Sequence, residues 1–154
     1  MKETILPITM SLLILSLAGC SLLPPSGTLP TATPAAPSTP TSGYEPQPGD
    51  DKLKRDQVFL DVENSSMVTM ESYPVQVSVV LNGNLSDPCH QLRVVVTPAN
   101  AQNEINLDVY SVGDPSVACI TVLKPFSATI PLGNYAGRHY TVYVNGQLLG
   151  ELDL

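Results

Sequence analysis

Few side chains in this sequence could hold a metal ion. The chain has only two histidines, His90 and His139, and neither lies at metal-ligand spacing from a carboxylate. A zinc site needs three or four converging ligands, and a calcium site needs clustered acidic oxygen ligands. Asp108 and Asp114 are too scattered in the sequence to suggest such a cluster. The sequence therefore predicts no metal site.

The hydroxyl and carboxyl groups also lack the patterns of an active site. Nucleophilic catalysis needs a nucleophile, a base and an orienting group within hydrogen-bond reach. Ser78 and Ser127 lie in neither a Gly-x-Ser-x-Gly nor a Ser-x-x-Lys motif, and Glu63 and Glu71 are ordinary carboxylates of the kind found on solvated sheet faces. We therefore predict no catalytic residue, no cofactor and no enzymatic activity, and keep a hydrolase as an open alternative.

The elements that would position any site begin with an apolar leader. Residues 5–17 form an apolar run after a single lysine, which is long enough for a signal peptide but short of the ~20 residues of a membrane-spanning helix. The run ends in Leu17-Ala18-Gly19-Cys20, which resembles the lipobox of bacterial lipoproteins in all four positions. A secretory signal without lipidation, ending at Gly19, is the alternative.

The resemblance implies a lipid anchor on Cys20. It implies that residues 1–19 are a lipoprotein signal peptide, removed after Gly19, and that Cys20 carries a diacylglyceryl group with acyl chains such as palmitate. Several acyl chains hold a protein at a bilayer far better than one chain does. We therefore expect an extracytoplasmic protein attached to the bacterial cell membrane or outer membrane.

The two other cysteines, Cys89 and Cys119, then form an even pair in an oxidising compartment, and we predict a disulfide between them. The bridge would close a loop of 31 residues. A reactive thiol or redox pair is the alternative, but it would favour Cys-x-x-Cys spacing or a cationic neighbour. The predicted role is structural.

A linker follows the anchor. Residues 20–52 are rich in proline, threonine and serine, with eight prolines between Ser21 and Gly49. This composition cannot bury a core and favours an extended, disordered chain. We interpret it as a spacer that carries a domain away from the membrane, and O-glycosylation of its threonines and serines is an alternative.

Residues 53–154 predict an all-β domain. Apolar side chains alternate with polar ones, which is typical of antiparallel strands that cover a core on one face. Turn signals separate these segments, and Asn145-Gly146 predicts a type I′ hairpin. The number of segments favours an antiparallel β-sandwich of about seven strands. The segments are 58–62, 75–81, 92–96, 105–109, 126–132, 140–144 and 148–154.

The C-terminal third carries a second resemblance. Residues 132–146, LGNYAGRHYTVYVNG, look like the last strands of immunoglobulin-like and fibronectin-III-like bacterial modules. The resemblance implies an immunoglobulin-like sandwich in which Tyr140 is a corner tyrosine, with its hydroxyl bound to nearby backbone. The chain has no tryptophan for the core position that antibody domains fill.

Charge and exposed apolar residues bear on the choice of partner. The chain has 7 basic and 14 acidic residues, a net charge of −7, which disfavours nucleic acid. We expect a membrane-anchored binding module with a protein or glycan ligand. An inhibitory or regulatory subunit of an envelope enzyme such as a protease, using loops near Cys89 and Cys119, is the alternative. Five outward apolar residues would form a partner surface if they share a sheet face: Phe59, Val80, Val95, Tyr110 and Tyr143.

Overall fold

The computed structural model describes residues 41–154. It contains nine strands in two sheets that pack face to face, together with a 3₁₀ turn at Asp50–Lys52. The predicted β-sandwich is therefore confirmed, with nine strands in place of about seven. The two strands that the alternation did not predict lie at residues 54–56 and 66–70. The strands are β1 (Lys54–Asp56), β2 (Phe59–Leu60), β3 (Ser66–Met70), β4 (Val75–Leu85), β5 (Gln91–Thr97), β6 (Glu104–Gly113), β7 (Lys124–Tyr135), β8 (His139–Val144) and β9 (Gln147–Asp153).

The first sheet is built around β4. Strand β7 pairs antiparallel with β4 along its whole length, while β3 and β2 pair with different parts of it. Since a strand has only two edges, β2 and β3 share the edge opposite β7. We call this sheet the β4 sheet.

The second sheet is built around β6 and is called the β6 sheet. Strand β5 pairs antiparallel with β6 on one edge. On the other edge, β8 pairs with residues 104–107 and β1 pairs with residues 111–113. The β6–β8 pair is parallel, in contrast to the antiparallel pairing predicted throughout. Strand β9 extends the sheet beyond β8.

The core lies between the two sheets and follows the predicted alternation. Strand β4 alternates buried and half-buried residues from Val77 to Leu85. Each buried valine or leucine is worth about 1.5–3 kcal/mol relative to exposure, so the alternating faces fix which side of each strand turns inward. The most deeply buried side chains include Val79, Leu81, Ile105, Leu107, Ile130, Val142 and Val144.

The last hairpin has the predicted turn. Asn145 and Gly146 join β8 to β9 with φ values of 48° and 78°. Positive φ at both central residues defines the type I′ turn, whose twist matches that of the paired strands. The turn therefore fixes the position of the Asn145 side chain.

The segment before β1 is packed on the sandwich. The sequence predicts a linker that continues to residue 52, whereas Tyr44 packs against the core and its carbonyl accepts a hydrogen bond of 2.7 Å from the Val94 amide. Asp50 receives two hydrogen bonds from the Arg93 guanidinium, at 2.8 and 3.0 Å. We call residues 42–53 the strap. A few side chains anchor the strap to the sandwich, and the amino-acid composition of the segment does not predict these contacts.

The strap crosses the outer face of the β6 sheet. Tyr44 lies at the free edge of β5, and β1 begins at the opposite edge of β6, so the chain between them must cross both strands. Arg93 and Val112 occupy outward positions of β5 and β6, yet they are only 7% and 2% exposed. The strap thus also covers an edge strand, which would otherwise present unpaired backbone groups.

Candidate functional site

The β6 sheet has a gap between the ends of two strands. Among the described residues, β8 pairs with β6 only as far as Leu107, and β1 pairs with it only from Ser111 onward. Three residues of β6, 108–110, therefore face no strand on this edge. Gaps of this kind leave backbone groups that need other partners.

Asn145 supplies those partners. Its side-chain oxygen accepts a hydrogen bond of 2.7 Å from the Val109 amide, and its side-chain nitrogen donates one of 2.8 Å to the Val109 carbonyl. The Asn145 backbone amide also donates to the Leu107 carbonyl at 2.9 Å. The side chain thus takes the place of a strand, and it leaves Val109 with no main-chain group for an added peptide strand.

A groove of about 680 Å³ lies over this gap. Its volume falls within the range of ~300–1,000 Å³ that small-ligand sites occupy. Val58 and Leu60 are half-buried, pack against the core and form an apolar part of the lining. The polar part comes from the β1 segment, β6 and the hairpin turn: Arg55, Asp56, Gln57, Asp108, Asn145 and Gln147.

Arg55 is held in place on the rim of the groove. Its guanidinium carbon lies 3.8 Å from the centroid of the Tyr110 ring, and one guanidinium nitrogen donates to the Asp108 carboxylate at 2.6 Å. An exposed ion pair of this kind contributes only about 0–1 kcal/mol to stability. Its effect here is to orient a planar donor, because the ring and the carboxylate together restrict the arginine.

Two amide side chains in the groove are free to bind a ligand. Within residues 41–154, the side-chain amides of Gln57 and Gln147 make no hydrogen bond to another residue, and only the backbone amide of Gln57 donates to a side chain. Each amide offers both donors and an acceptor. The groove therefore combines amides, two carboxylates, one guanidinium and an aromatic ring next to an apolar floor.

The predicted disulfide is confirmed. Cys89 and Cys119 are bonded, with their Cα atoms 6.1 Å apart. Asp87 has a carboxylate oxygen near both sulfurs, within 4.8 Å. Because both sulfurs are consumed by the disulfide, neither is available as a thiolate ligand. The group therefore offers a metal ion one carboxylate only.

His90 lies beside a serine and an aspartate without forming a catalytic relay. Its Nδ1 is 3.3 Å from the Ser86 hydroxyl and 2.8 Å from the Asp87 carboxylate. A relay needs the nucleophile and the orienting carboxylate on different ring nitrogens. The other side of the ring packs against Gly113, where a Cβ would come within 2.8 Å of Nε2. The hydrogen bond from His90 holds the pKa of Asp87 below its usual value.

His139 lies elsewhere, at the start of β8. Its Nδ1 is 2.7 Å from the Asp153 carboxylate, and Nε2 is 3.8 Å from that of Glu151. The hydrogen bond to Asp153 raises the pKa of His139 above 6.5, and both carboxylates add to the shift by attraction. The ring is half exposed. The structure therefore places the two histidines in separate acidic settings.

The tyrosine hydrogen bond predicted for Tyr140 is made by a different residue. Tyr140 is buried, and its ring meets that of Tyr135 edge to face at 4.9 Å. The Tyr135 hydroxyl donates to the Leu132 carbonyl at 3.3 Å, whereas no bond from the Tyr140 hydroxyl occurs among the described residues. Tyr135 precedes a left-handed glycine, Gly137, at the bend before β8, so its side chain folds back onto nearby backbone.

The five outward apolar residues do not form one patch. Phe59 and Val80 lie in the β4 sheet, whereas Val95, Tyr110 and Tyr143 lie in the β6 sheet. The two sets therefore face opposite sides of the sandwich. Of these five residues, only Tyr110 lines the groove.

The predicted lipidation site, Cys20, and the predicted signal peptide, residues 1–19, lie outside the described residues. Within the described part of the chain, no helix is long and apolar enough to cross a bilayer.

Sequence patterns do not reveal the groove. Arg55 and Tyr110 are 55 residues apart along the chain, and only the β1–β6 register brings their strands together. The one local signal is Asn145, because an asparagine in a type I′ turn carries a side chain close to the neighbouring strand edge. The turn predicts the residue's backbone conformation but not its partner.

Comparison with known proteins places this architecture in a family. The model of the ORF11 beta-sandwich domain matches residues 79–154, from the middle of β4 to the C-terminus. An uncharacterized 10.2 kDa protein in the HgiCIIM 5′ region of Herpetosiphon aurantiacus is 31% identical over 85 residues, which are 54% of this chain and 89% of that protein. The chain belongs to the family of this Herpetosiphon protein, and its C-terminal half is similar to the ORF11 β-sandwich domain. No solved structure matches the chain.

Proposed function

We propose that the protein is a non-enzymatic, lipid-anchored binding protein of the bacterial envelope. In this proposal Cys20 carries the anchor, the proline-rich segment is the spacer, and an immunoglobulin-like β-sandwich is the binding module. The lipobox Leu17-Ala18-Gly19-Cys20 supports the location. The groove beside Arg55 and Tyr110, with two amides that are unpaired within residues 41–154, is the observation that carries the binding function.

The anchor is tested by labelling and fractionation. Cells producing the full-length protein are fed an alkyne analogue of palmitate, and the protein is separated by detergent phase partition. We expect label and detergent-phase partition for the wild type, and loss of both for Cys20→Ser. A matched Cys89→Ser variant keeps the label, because that sulfur is in the folded domain. Label retained by Cys20→Ser contradicts the anchor.

Binding is tested by crosslinking in cells. The full-length anchored protein is crosslinked and recovered, with Cys20→Ser as the control for location and Gln147→Ala as the control for the groove. Recovery of a component that depends on both residues supports the proposal. A component recovered equally with all three proteins contradicts it.

A second candidate function is favoured by one exposed segment. Residues 114–123 connect β6 to β7, and Cys119 fixes their middle to Cys89. We call this the stapled segment. Four of its apolar side chains are more than half exposed: Val117, Ile120, Val122 and Leu123. An exposed, constrained apolar segment suits insertion into a cleft of another protein, as an inhibitory or regulatory subunit would require.

Inhibition measurements test this second candidate. The purified full-length protein is titrated against serine proteases and against a membrane fraction with proteolytic activity. Inhibition that is lost in Ile120→Asp and retained in Thr121→Asp supports insertion of the stapled segment, because both variants add the same charge one residue apart. Absence of inhibition, or equal loss in both variants, contradicts it.

A further inference from the structure

We infer that the groove over the β6 gap binds a neutral sugar ring of a glycan. This inference rests on the proposed binding function and adds the chemical class of the ligand. It depends on three features of the groove: its charge, its unused hydrogen-bonding groups and its apolar floor.

The charges of the groove disfavour an anionic ligand. Its lining carries one positive group, Arg55, and two negative ones, Asp56 and Asp108. Asp108 lies against the guanidinium at 2.6 Å and compensates its charge. A phosphate or carboxylate would have to displace that carboxylate and face the second one. Asp56 also has a cationic partner, because the Lys54 ammonium lies 3.7 Å from its carboxylate, so the charges at the groove are balanced and suit an uncharged ligand.

The unused polar groups suit a ligand that both donates and accepts. Among the described residues, nothing bonds the amides of Gln57 and Gln147, and Arg55 uses one of its five N–H groups on Asp108. Sugar hydroxyls donate and accept hydrogen bonds, so each can match an amide, a carboxylate or a guanidinium. A peptide strand would instead need main-chain partners on β6, and the Asn145 side chain already occupies both groups of Val109.

The apolar floor suits the C–H face of a sugar ring. Val58 and Leu60 line the groove, and the half-buried Tyr110 ring lies beside them. Planar polar groups on the rim and an apolar surface beneath them match a molecule with hydroxyls at its edge and C–H bonds on its face. Because Arg55 is already restricted by Tyr110 and Asp108, little side-chain freedom is lost on binding.

The test is a titration of the full-length, ¹⁵N-labelled protein with defined oligosaccharides. The neutral probes are the hexamers of cellulose, mannan, amylose and chitin, and the anionic probe is hexagalacturonate. We expect saturable amide shifts for at least one neutral hexamer, confined to residues 55–60, 108–110 and 145–147. The same hexamer, offered as insoluble polysaccharide, distinguishes a polymer ligand from a free sugar.

Variants assign the binding to the groove. Gln147→Ala changes an exposed side chain and should weaken the affinity about tenfold or more with an unchanged Tm. Tyr110→Leu should do the same, whereas Tyr143→Leu, a half-buried tyrosine of the same sheet that does not line the groove, should leave the affinity unchanged. No shift with any neutral hexamer, tighter binding of hexagalacturonate, or equal loss in Tyr143→Leu overturns the inference.

Failure of this inference is distinguishable from failure of the proposed function. If crosslinking recovers a protein that depends on Cys20 and Gln147 while the hexamers give no shift, the binding function stands and the glycan class is wrong. If both experiments fail, the binding function itself is wrong.

Discussion

Removal of the disulfide should cause a large loss of stability. Cys89 and Cys119 are 30 residues apart, and the chain-entropy model assigns about 3.7 kcal/mol to closing a loop of that length. With an unfolding entropy of about 2.1 cal/mol/K per residue, this loss lowers the Tm of a unit the size of residues 42–154 by about 16 °C. We expect this shift in the double variant Cys89→Ser, Cys119→Ser.

Thermal unfolding of the full-length protein, followed by circular dichroism, measures the shift. Both proteins carry Cys20→Ser so that no other thiol is present. Reductant should lower the Tm of the bridged protein toward that of the double variant and leave the double variant unchanged. Without the bridge the unfolded chain is also more open and exposes more surface, so the m-value in urea should be higher for the double variant.

Two results would refute the entropic argument. A Tm lowered by less than about 4 °C, which corresponds to roughly 1 kcal/mol in a domain of this size, would mean that the bridge constrains little. A decrease in Tm by the full amount of about 16 °C, with an unchanged m-value, would mean that the folded state is destabilised, through contacts of the β6–β7 connection. That result would contradict a stabilisation that arises from constraining the unfolded chain.

Three further predictions concern polar contacts of the sandwich. His139 has a raised pKa in the folded state. The stabilisation from its charged form is therefore present below about pH 6.5 and is lost as the pH rises through the pKa of the folded state. A His139→Asn variant should consequently show a Tm that depends less on pH between pH 6 and 8. Asn145→Gly keeps the positive φ but leaves both Val109 groups unpaired, and denaturant unfolding should show a loss of about 1–3 kcal/mol. Asp50→Asn should lower the Tm and increase proteolysis in residues 42–53. Adding Arg93→Met should restore part of the lost Tm, because it removes the buried charge that the first substitution leaves without a partner. A double variant whose Tm does not recover would contradict the pairing of Asp50 with Arg93.

The sandwich is predictable because its signals are local. Alternation along β4 and β6 follows from the pleat of each strand, and the φ values of Asn145 and Gly146 follow from the turn that an Asn-Gly pair prefers. The disulfide follows from an even number of remaining cysteines. Each of these inferences needs only neighbouring residues or a count.

The strap and the groove depend on contacts between distant residues. Asp50 and Arg93 are 43 positions apart, and Arg55 and Asp108 are 53 apart. Proline-rich composition describes the average of a segment, so it does not indicate that one carboxylate in that segment binds a buried guanidinium. The hydrogen bond from Arg93 holds the pKa of Asp50 below its usual value, which keeps the strap attached down to acidic pH.

The two halves of the groove differ in how they relate to the family domain. Asp108, Tyr110, Asn145 and Gln147 lie within the matched residues 79–154, and Arg55 precedes them. The contact between Asn145 and Val109 therefore lies within the matched residues, whereas β1, which borders the gap and carries the guanidinium, and the apolar residues Val58 and Leu60 precede them. Strand β1 pairs only with the last three residues of β6 and contributes no buried apolar side chain. If the groove binds a ligand as proposed, exchanging residues 54–57 should consequently change its ligand preference while the core stays intact, so the two properties would vary independently.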